Sequence, residues 1–304
     1  MAHLQASNLF SVKDRVVVIT GGGSGLGRIM AKALDANQVS KIFILGRRED
    51  ALRETVSQTT NSTVIPITCD ITSKDSLEAA YKAVAAQTTH VDLLIANSGT
   101  MGPLMKPPVP AADGTLPSLT QIRDELFNIP MEEFNNVMNV NVTGSYYTVL
   151  AFLPLLDAAN KRRPAPQEDV LSPPTAQVII TSSIAGYIRQ VPFSFAYNAS
   201  KAATTQLIKI LSTTFAHYDI RVNGIAPGLY HSDMADQIFE KNGITGRAIS
   251  DGSVPRAITP ATRGGSEEDM AGLIVWLAST SGGYINGSVV ITDGGRLSVV
   301  PASS

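Results

Sequence analysis

Thr20-Gly21-Gly22-Gly23-Ser24-Gly25-Leu26-Gly27 follows an apolar run at 15–20 (RVVVIT) and leads into a helical stretch at 25–36. Five glycines in seven positions exceed what a tight strand-to-helix turn needs. Glycine there lets the backbone turn sharply and come close to a ligand. The helix that follows offers unpaired N–H groups and a partial positive charge, which suit a pyrophosphate. The spacing is T-G-x-x-x-G-x-G; Leu26 stands where G-x-G-x-x-G would need its third glycine.

Outward from that loop, short apolar runs alternate with helical patterns. Residues 15–20, 41–46, 64–69, 91–97, 177–182, 220–226 and 288–292 read as buried strands rich in Val, Ile or Leu. Helical stretches are expected at 25–36, 50–58, 73–87, 131–156, 195–217 and 267–279. Alternation of this kind predicts an α/β fold: a doubly wound, seven-stranded parallel sheet covered on both faces, Rossmann-like, in a single domain over 1–304. Three segments interrupt it. Residues 101–130 carry several prolines and little periodicity. Residues 160–175 are basic, then proline-rich, and read as a surface loop. Residues 229–263 are glycine-rich, with a short helical stretch near 234–240, and are expected to form a substrate lid.

Composition narrows the function. The 304-residue chain is 44 % hydrophobic and 16 % charged with a formal net charge of -2, which gives no electrostatic case for nucleic acid or an anionic membrane. One cysteine, Cys69, excludes an internal disulfide framework, and His3, His90, His217 and His231 have no metal-ligand spacing, so no metal is expected. No apolar run reaches the length of a membrane span, the first ten residues lack a signal-peptide pattern, and the last three are not a peroxisomal signal; the cytoplasm is the expected location.

Tyr197 and Lys201 are spaced four apart, so they share one face of a helix. An ammonium beside a phenol favours the phenolate and can tune it as a proton donor. Such a pair recurs by chance on amphipathic helices, so the order of the other motifs must carry the argument.

That order, from about 14 to 301, resembles the short-chain dehydrogenase/reductase family, in its single-domain, ketoreductase-like branch. The resemblance implies that Gly21, Ser24, Gly25, Leu26 and Gly27 form the cofactor loop. It implies that Asp70, with Ile71 beside it, meets the adenine. Asn97-Ser98-Gly99 stands where the family usually has Asn-Ala-Gly. The family's catalytic serine matches Ser183, although the separation from Tyr197 is about one residue wider than the family pattern. Asn141, rather than Asn139, completes a tetrad with Ser183, Tyr197 and Lys201, holding a water that links Lys201 to solvent. Tyr197 and Lys201 also face the nicotinamide ribose, and Pro227, Gly228 and Ser232 belong to a P-G-x-x-x-[ST] loop that holds the carboxamide.

Cofactor choice has a physical basis. An acid at the end of the second strand binds a ribose 2′-hydroxyl, whereas arginine accepts a 2′-phosphate. Here the strand ends in Leu45-Gly46-Arg47-Arg48, and two guanidiniums suit a phosphate, so NADP(H) is expected over NAD(H). Ser24, at a position often basic in NADP-binding relatives, and the acids Glu49 and Asp50 weigh against it.

The expected reaction is reduction of a ketone to a secondary alcohol, or the reverse, with Tyr197 as general acid. Tyr187, Ile188, Val191, Phe193 and Tyr230 are expected to face a hydrophobic or polyketide-like small molecule, with Arg189 as the nearest charge. A homodimer or homotetramer is implied by the resemblance. Two rivals remain: a catalytically silent NADP-binding sensor or scaffold on the same fold, and an epimerase or dehydratase, which would use another glycine spacing and a larger C-terminal domain.

Overall fold

The computed structural model describes residues 2–106, 108, 110–111, 113–191, 193–231, 244 and 246–303. Seven strands form one all-parallel sheet: β1 (Val16–Thr20), β2 (Lys41–Gly46), β3 (Val64–Thr68), β4 (Leu93–Ala96), β5 (Gln177–Thr181), β6 (Arg221–Pro227) and β7 (Val289–Thr292). Their order across the sheet is β3-β2-β1-β4-β5-β6-β7. Strand β1 pairs with β2 on one side and β4 on the other, so the chain reverses its winding there. The crevice at the C-terminal ends of β1 and β4 is the place such a sheet offers a ligand.

Helices α1 (Gly25–Ala36), α2 (Glu49–Ser57), α3 (Lys74–Ala85), α4 (Leu119–Phe127), α5 (Met131–Met138), α6 (Ser145–Lys161), α7 (Phe195–Phe215) and α8 (Glu267–Ala278) join or flank the strands. Alternate strand residues feed two cores. On one face Val18, Phe43, Leu94, Val178 and Val222 pack with Phe152 and Ile208. On the other, Val17, Ile42, Leu93, Ile179 and Ile225 pack with Met30, Leu34 and Ile274. Burial on both faces is why these strands read as continuous apolar runs. Each fully buried side chain of this size contributes about 1.5–3 kcal/mol relative to exposure.

Two helical features differ from the sequence reading. Residues 101–130 contain α4, which buries none of its residues and so shows no core stripe; it is held by a capping box in which Ser118 and Gln121 exchange hydrogen bonds. The helix expected over 131–156 is two helices joined by a π-helical segment, Asn139–Gly144, and α6 runs on to Lys161 through Pro154. The helical stretch expected near 234–240 lies outside the described residues.

Candidate active site

The glycine loop is shaped by contacts that exclude side chains. Gly21 has φ +67° and Gly25 φ +49°, both in the left-handed region that favours glycine. A Cβ on Gly27 would lie 2.2 Å from the Gly21 carbonyl oxygen, so α1 can sit this close to β1 only with glycine there. Ser24 occupies the N-cap place of α1 without a side-chain cap, which leaves first-turn amides for a ligand.

Asn97 ties the loop to its neighbours. The Thr20 hydroxyl accepts from the amides of Asn97 at 3.0 Å and Ser98 at 3.1 Å. Asn97 Nδ2 donates to the Thr20 carbonyl at 3.2 Å, and its Oδ1 accepts from the Thr181 hydroxyl at 3.1 Å. The ends of β1, β4 and β5 are thereby fixed to one another. Ser98 in place of alanine fits, since its contribution to this junction is its backbone amide.

Arg47 and Arg48 end the turn after β2, exposed, and among the described residues neither forms an ion pair. Arg48 Nη2 reaches the Ser24 hydroxyl at 3.5 Å. Glu49, the adjacent acid, accepts instead from Arg53 at 2.5 and 3.0 Å along α2. Asp70 accepts from the amide and hydroxyl of Thr72, which hold its carboxyl below the usual range, with a smaller contribution from nearby Arg47.

Tyr197 and Lys201 stand on α7, whose N-cap Ser194 accepts from the Tyr197 amide. Lys201 Nζ donates to the Thr181 carbonyl at 2.8 Å and lies 5.8 Å from the Tyr197 ring centroid. The lysine is buried, and burial pushes its pKa down to about 8. Tyr197 is pushed above the ordinary phenol value by burial, and a hydrogen bond with Ser183 opposes the rise. Ser183 also accepts from the Ala185 amide at 3.1 Å, and its hydroxyl reaches the Pro227 carbonyl at 3.5 Å. The wider Ser–Tyr spacing in sequence therefore does not separate the two groups.

Asn141 is fully buried in the π-helical segment, a distortion that often marks functional sites. Its Oδ1 accepts from the Thr100 amide at 2.8 Å, and its Nδ2 donates to the Thr100 carbonyl and to the Ser200 hydroxyl, both at 2.9 Å. A Cβ on Gly99 would lie 3.3 Å from Asn141 Oδ1 and 3.5 Å from Lys201 Nζ. Asn141 and Lys201 thus face each other across a position that glycine keeps open.

One cavity of about 540 Å³ joins these groups. Gly21, Ser24, Gly25, Leu26, Arg47, Arg48, Asp70, Ile71 and Asn97 line one end, and Ser183, Tyr197, Lys201, Pro227 and Gly228 the other. Gly27 and Asn141 stand behind the wall. Ser232 lies outside the described residues. Of the residues expected to face a substrate, Ile188, Phe193 and Tyr230 line the cavity. Tyr187, Val191 and Arg189 do not; the first and last are drawn off by the C-terminal tail, where Ser303 N donates to the Tyr187 carbonyl and Arg189 N to the Pro301 carbonyl, each at 2.8 Å. Sequence reasoning missed Arg296, which lines the cavity from that same tail, and Thr181, whose carbonyl holds the lysine.

This geometry has known counterparts. Residues 15–243 match the family model described as short chain dehydrogenase. The chain is 38 % identical over 304 residues to the short-chain dehydrogenase/reductase PhomF of Diaporthe leptostromiformis, covering 99 % of this chain and 97 % of that one. It is 29 % identical over 289 residues to the rhamnolipids biosynthesis 3-oxoacyl-[acyl-carrier-protein] reductase of Pseudomonas aeruginosa, covering 94 % and 97 %. Among solved structures, the Pseudomonas aeruginosa RhlG/NADP active-site complex superposes with a TM-score of 0.73 at 28 % identity, covering 95 % and 98 %. A doubly wound sheet with its crevice lined in this way defines a nicotinamide-dependent oxidoreductase acting on CH–OH and C=O groups. The chain belongs to the short-chain dehydrogenase/reductase family.

Proposed function

We propose that the protein reduces a ketone on a largely hydrophobic small molecule to a secondary alcohol with NADPH, or runs the reverse reaction, as a cytoplasmic homodimer or homotetramer. The observation that carries this reading is the convergence of Ser183, Tyr197 and Lys201 on the cavity that also holds the glycine loop.

The cavity fits a dinucleotide. Its lining includes two guanidiniums without an ion pair among the described residues, the glycines at a helix N-terminus, and the Tyr197–Lys201 pair. Arg47 and Arg48 would take a 2′-phosphate, and the turning of Glu49 toward Arg53 removes the acid that would oppose it. Gly21, Gly25 and the first turn of α1 would hold the pyrophosphate, with Asp70 and Ile71 at the adenine. When bound, the nicotinamide supplies the hydride.

The chain's own groups would do the rest. Ser183 donates to the carbonyl oxygen as negative charge gathers there. Tyr197 gives that oxygen its proton. The Lys201 ammonium, 5.8 Å from the phenol ring, stabilises the phenolate left behind and reaches the ribose hydroxyls. Asn141 would hold a water at the gap beside Gly99, through which the proton is replaced. Of the lid expected over 229–263, Leu229 and Tyr230 line the cavity, and Ile244, Ala248 and Val254, packed against Leu229, would form its base. Of the surface loop expected over 160–175, residues 160 and 161 end α6, and the rest would be an excursion with no part in the chemistry. The edge strand β7, with Ile291 exposed, offers one face for assembly.

The test is oxidation of NADPH by the purified protein against a panel of ketones, beside Tyr197→Phe. Turnover on at least one ketone is expected, with Tyr197→Phe losing about a thousandfold or more while binding NADPH normally. Cofactor binding without turnover on any ketone would instead identify a sensor. Light scattering in solution checks the assembly, and a monomer at working concentration would remove that part.

A further inference from the structure

Arg296 lines the cavity and forms no ion pair among the described residues. It is partly buried, on the wall where Gly228 packs against Asp293. Only Nη1 is engaged, donating to the Ile258 carbonyl at 2.7 Å. Asp293 is the carboxylate whose charge acts on it; its Oδ1 accepts from the Gly295 amide at 2.9 Å and its Oδ2 from the Leu297 amide at 2.8 Å. Among the described residues Arg296 Nε and Nη2 have no partner.

The other charges on the cavity wall already have assignments. Arg47, Arg48 and Asp70 stand at the end away from Tyr197, and Lys201 is held by Thr181. The same cavity wall carries the apolar and aromatic side chains of Ile184, Ile188, Phe193 and Leu229. A guanidinium does not lose its charge at neutral pH, and the Asp293 charge acts on this one without forming an ion pair. Its Nε and Nη2 edge stays open among the described residues, and such an edge matches a carboxylate.

Resting on the reading of this cavity as a ketone-reducing site, we propose that Arg296 anchors a carboxylate carried by the substrate, so that the substrate class is keto acids with an apolar body. The connection from Ser183 through Pro227 and Gly228 to Asp293 and Arg296 sets the anchor on the serine side of the reacting carbonyl. The bond to Ile258 also ties the anchor to the small cluster of Leu229, Ile244, Ala248 and Val254.

The test is titration calorimetry of a series of straight-chain keto acids and their methyl esters into the enzyme saturated with NADP⁺. At least one acid is expected to bind about tenfold or more tighter than its ester. Arg296→Gln should remove that preference while leaving ester and NADPH affinities unchanged, and Arg296→Lys should keep part of it. Ester binding by the variant shows that the pocket is still folded. Three results overturn the inference: no acid preferred over its ester, a preference that survives in Arg296→Gln, or a loss of NADPH affinity in that variant, which would assign Arg296 to the cofactor. Turnover is a separate reading. Acids held through Arg296 but never reduced would uphold the anchor and reject ketone reduction.

Discussion

Lys201 Nζ and the carbonyl oxygen of Thr181 lie 2.8 Å apart, so the ammonium on α7 is fixed by the last peptide of β5. Thr181 is itself bound through its hydroxyl to Asn97, at the end of β4. The lysine's place therefore depends on the register of two strands as well as on its helix. Its burial has a chemical consequence. Removing an ammonium from water disfavours the charged form, and the pKa falls to about 8.

The first prediction concerns pH. Lys201 loses its proton as pH rises through about 8 in the cofactor-free protein. Reductive kcat/KM should then fall above that pH, because the charge facing the phenol and the ribose is lost. Lys201→Arg should be slower and should carry its descending limb at higher pH, since a guanidinium does not titrate there. A limb unmoved in Lys201→Arg would assign the titration to another group. For stability the sign is opposite to that of a paired amine. The folded pKa lies below the ordinary lysine value of 10.5, so the unfolded chain binds more protons between the two. The cost of burying this charge is present below about 8 and is relieved as pH rises from there toward 10.5.

A second prediction separates the two cofactors. Arg47 and Arg48 have no ion-pair partner among the described residues, and Glu49 is held by Arg53. Arg47→Ala and Arg48→Ala should each weaken NADPH by about tenfold or more, the scale of a charge-assisted phosphate contact, with NADH nearly unchanged. Direct titration of both cofactors decides it. Equal weakening of NADPH and NADH would move the phosphate site elsewhere.

Much of this architecture was legible beforehand because its causes are local. The five inner strands could be read because a parallel strand buried on both faces is an uninterrupted run of Val, Ile and Leu, as in Val178–Ile180. The glycine loop could be read because close backbone approach excludes side chains. Helix α4 could not, because it buries nothing and leaves only Ser118 and Gln121 as a signal. The π-helical segment around Asn141 leaves no residue pattern of its own, and the resemblance alone separated Asn141 from Asn139. Arg296 was invisible because its position depends on a tail that folds back across the whole chain to meet residues 187–189. Arg189, nearer in sequence, looked the better charge and points elsewhere.

A third prediction tests the loop as packing. In Gly27→Ala the new methyl would meet the Gly21 carbonyl oxygen at 2.2 Å and Asn97 Nδ2 at 2.7 Å. One of those contacts is backbone, so α1 must move away from β1. A cost of about 1–3 kcal/mol in unfolding free energy is expected, together with a loss of NADPH affinity, because the same amides would hold the pyrophosphate. Chemical denaturation and cofactor titration read the two effects separately. Unchanged stability would mean that the helix approach is looser than this contact implies.

The last prediction uses the gap between Asn141 and Lys201. A methyl group on Gly99 would lie 3.3 Å from Asn141 Oδ1 and 3.5 Å from Lys201 Nζ. Both neighbours are side-chain atoms, and a shift of a few tenths of an ångström accommodates the methyl, so Gly99→Ala should fold. Yet the shift falls where the two polar groups face each other and where the proposed relay water would stand. Turnover should drop by about tenfold to a hundredfold, the scale on which small misplacements act in an active site. NADPH affinity and thermal stability should change little, because the glycine loop and the Thr181 bond are untouched. If the methyl acts by excluding the water, the solvent deuterium isotope effect on kcat should rise as proton replacement becomes limiting. Wild-type turnover in Gly99→Ala would show that nothing passes through this gap, and Asn141 would then be left with a structural role, pinning Thr100 and Ser200.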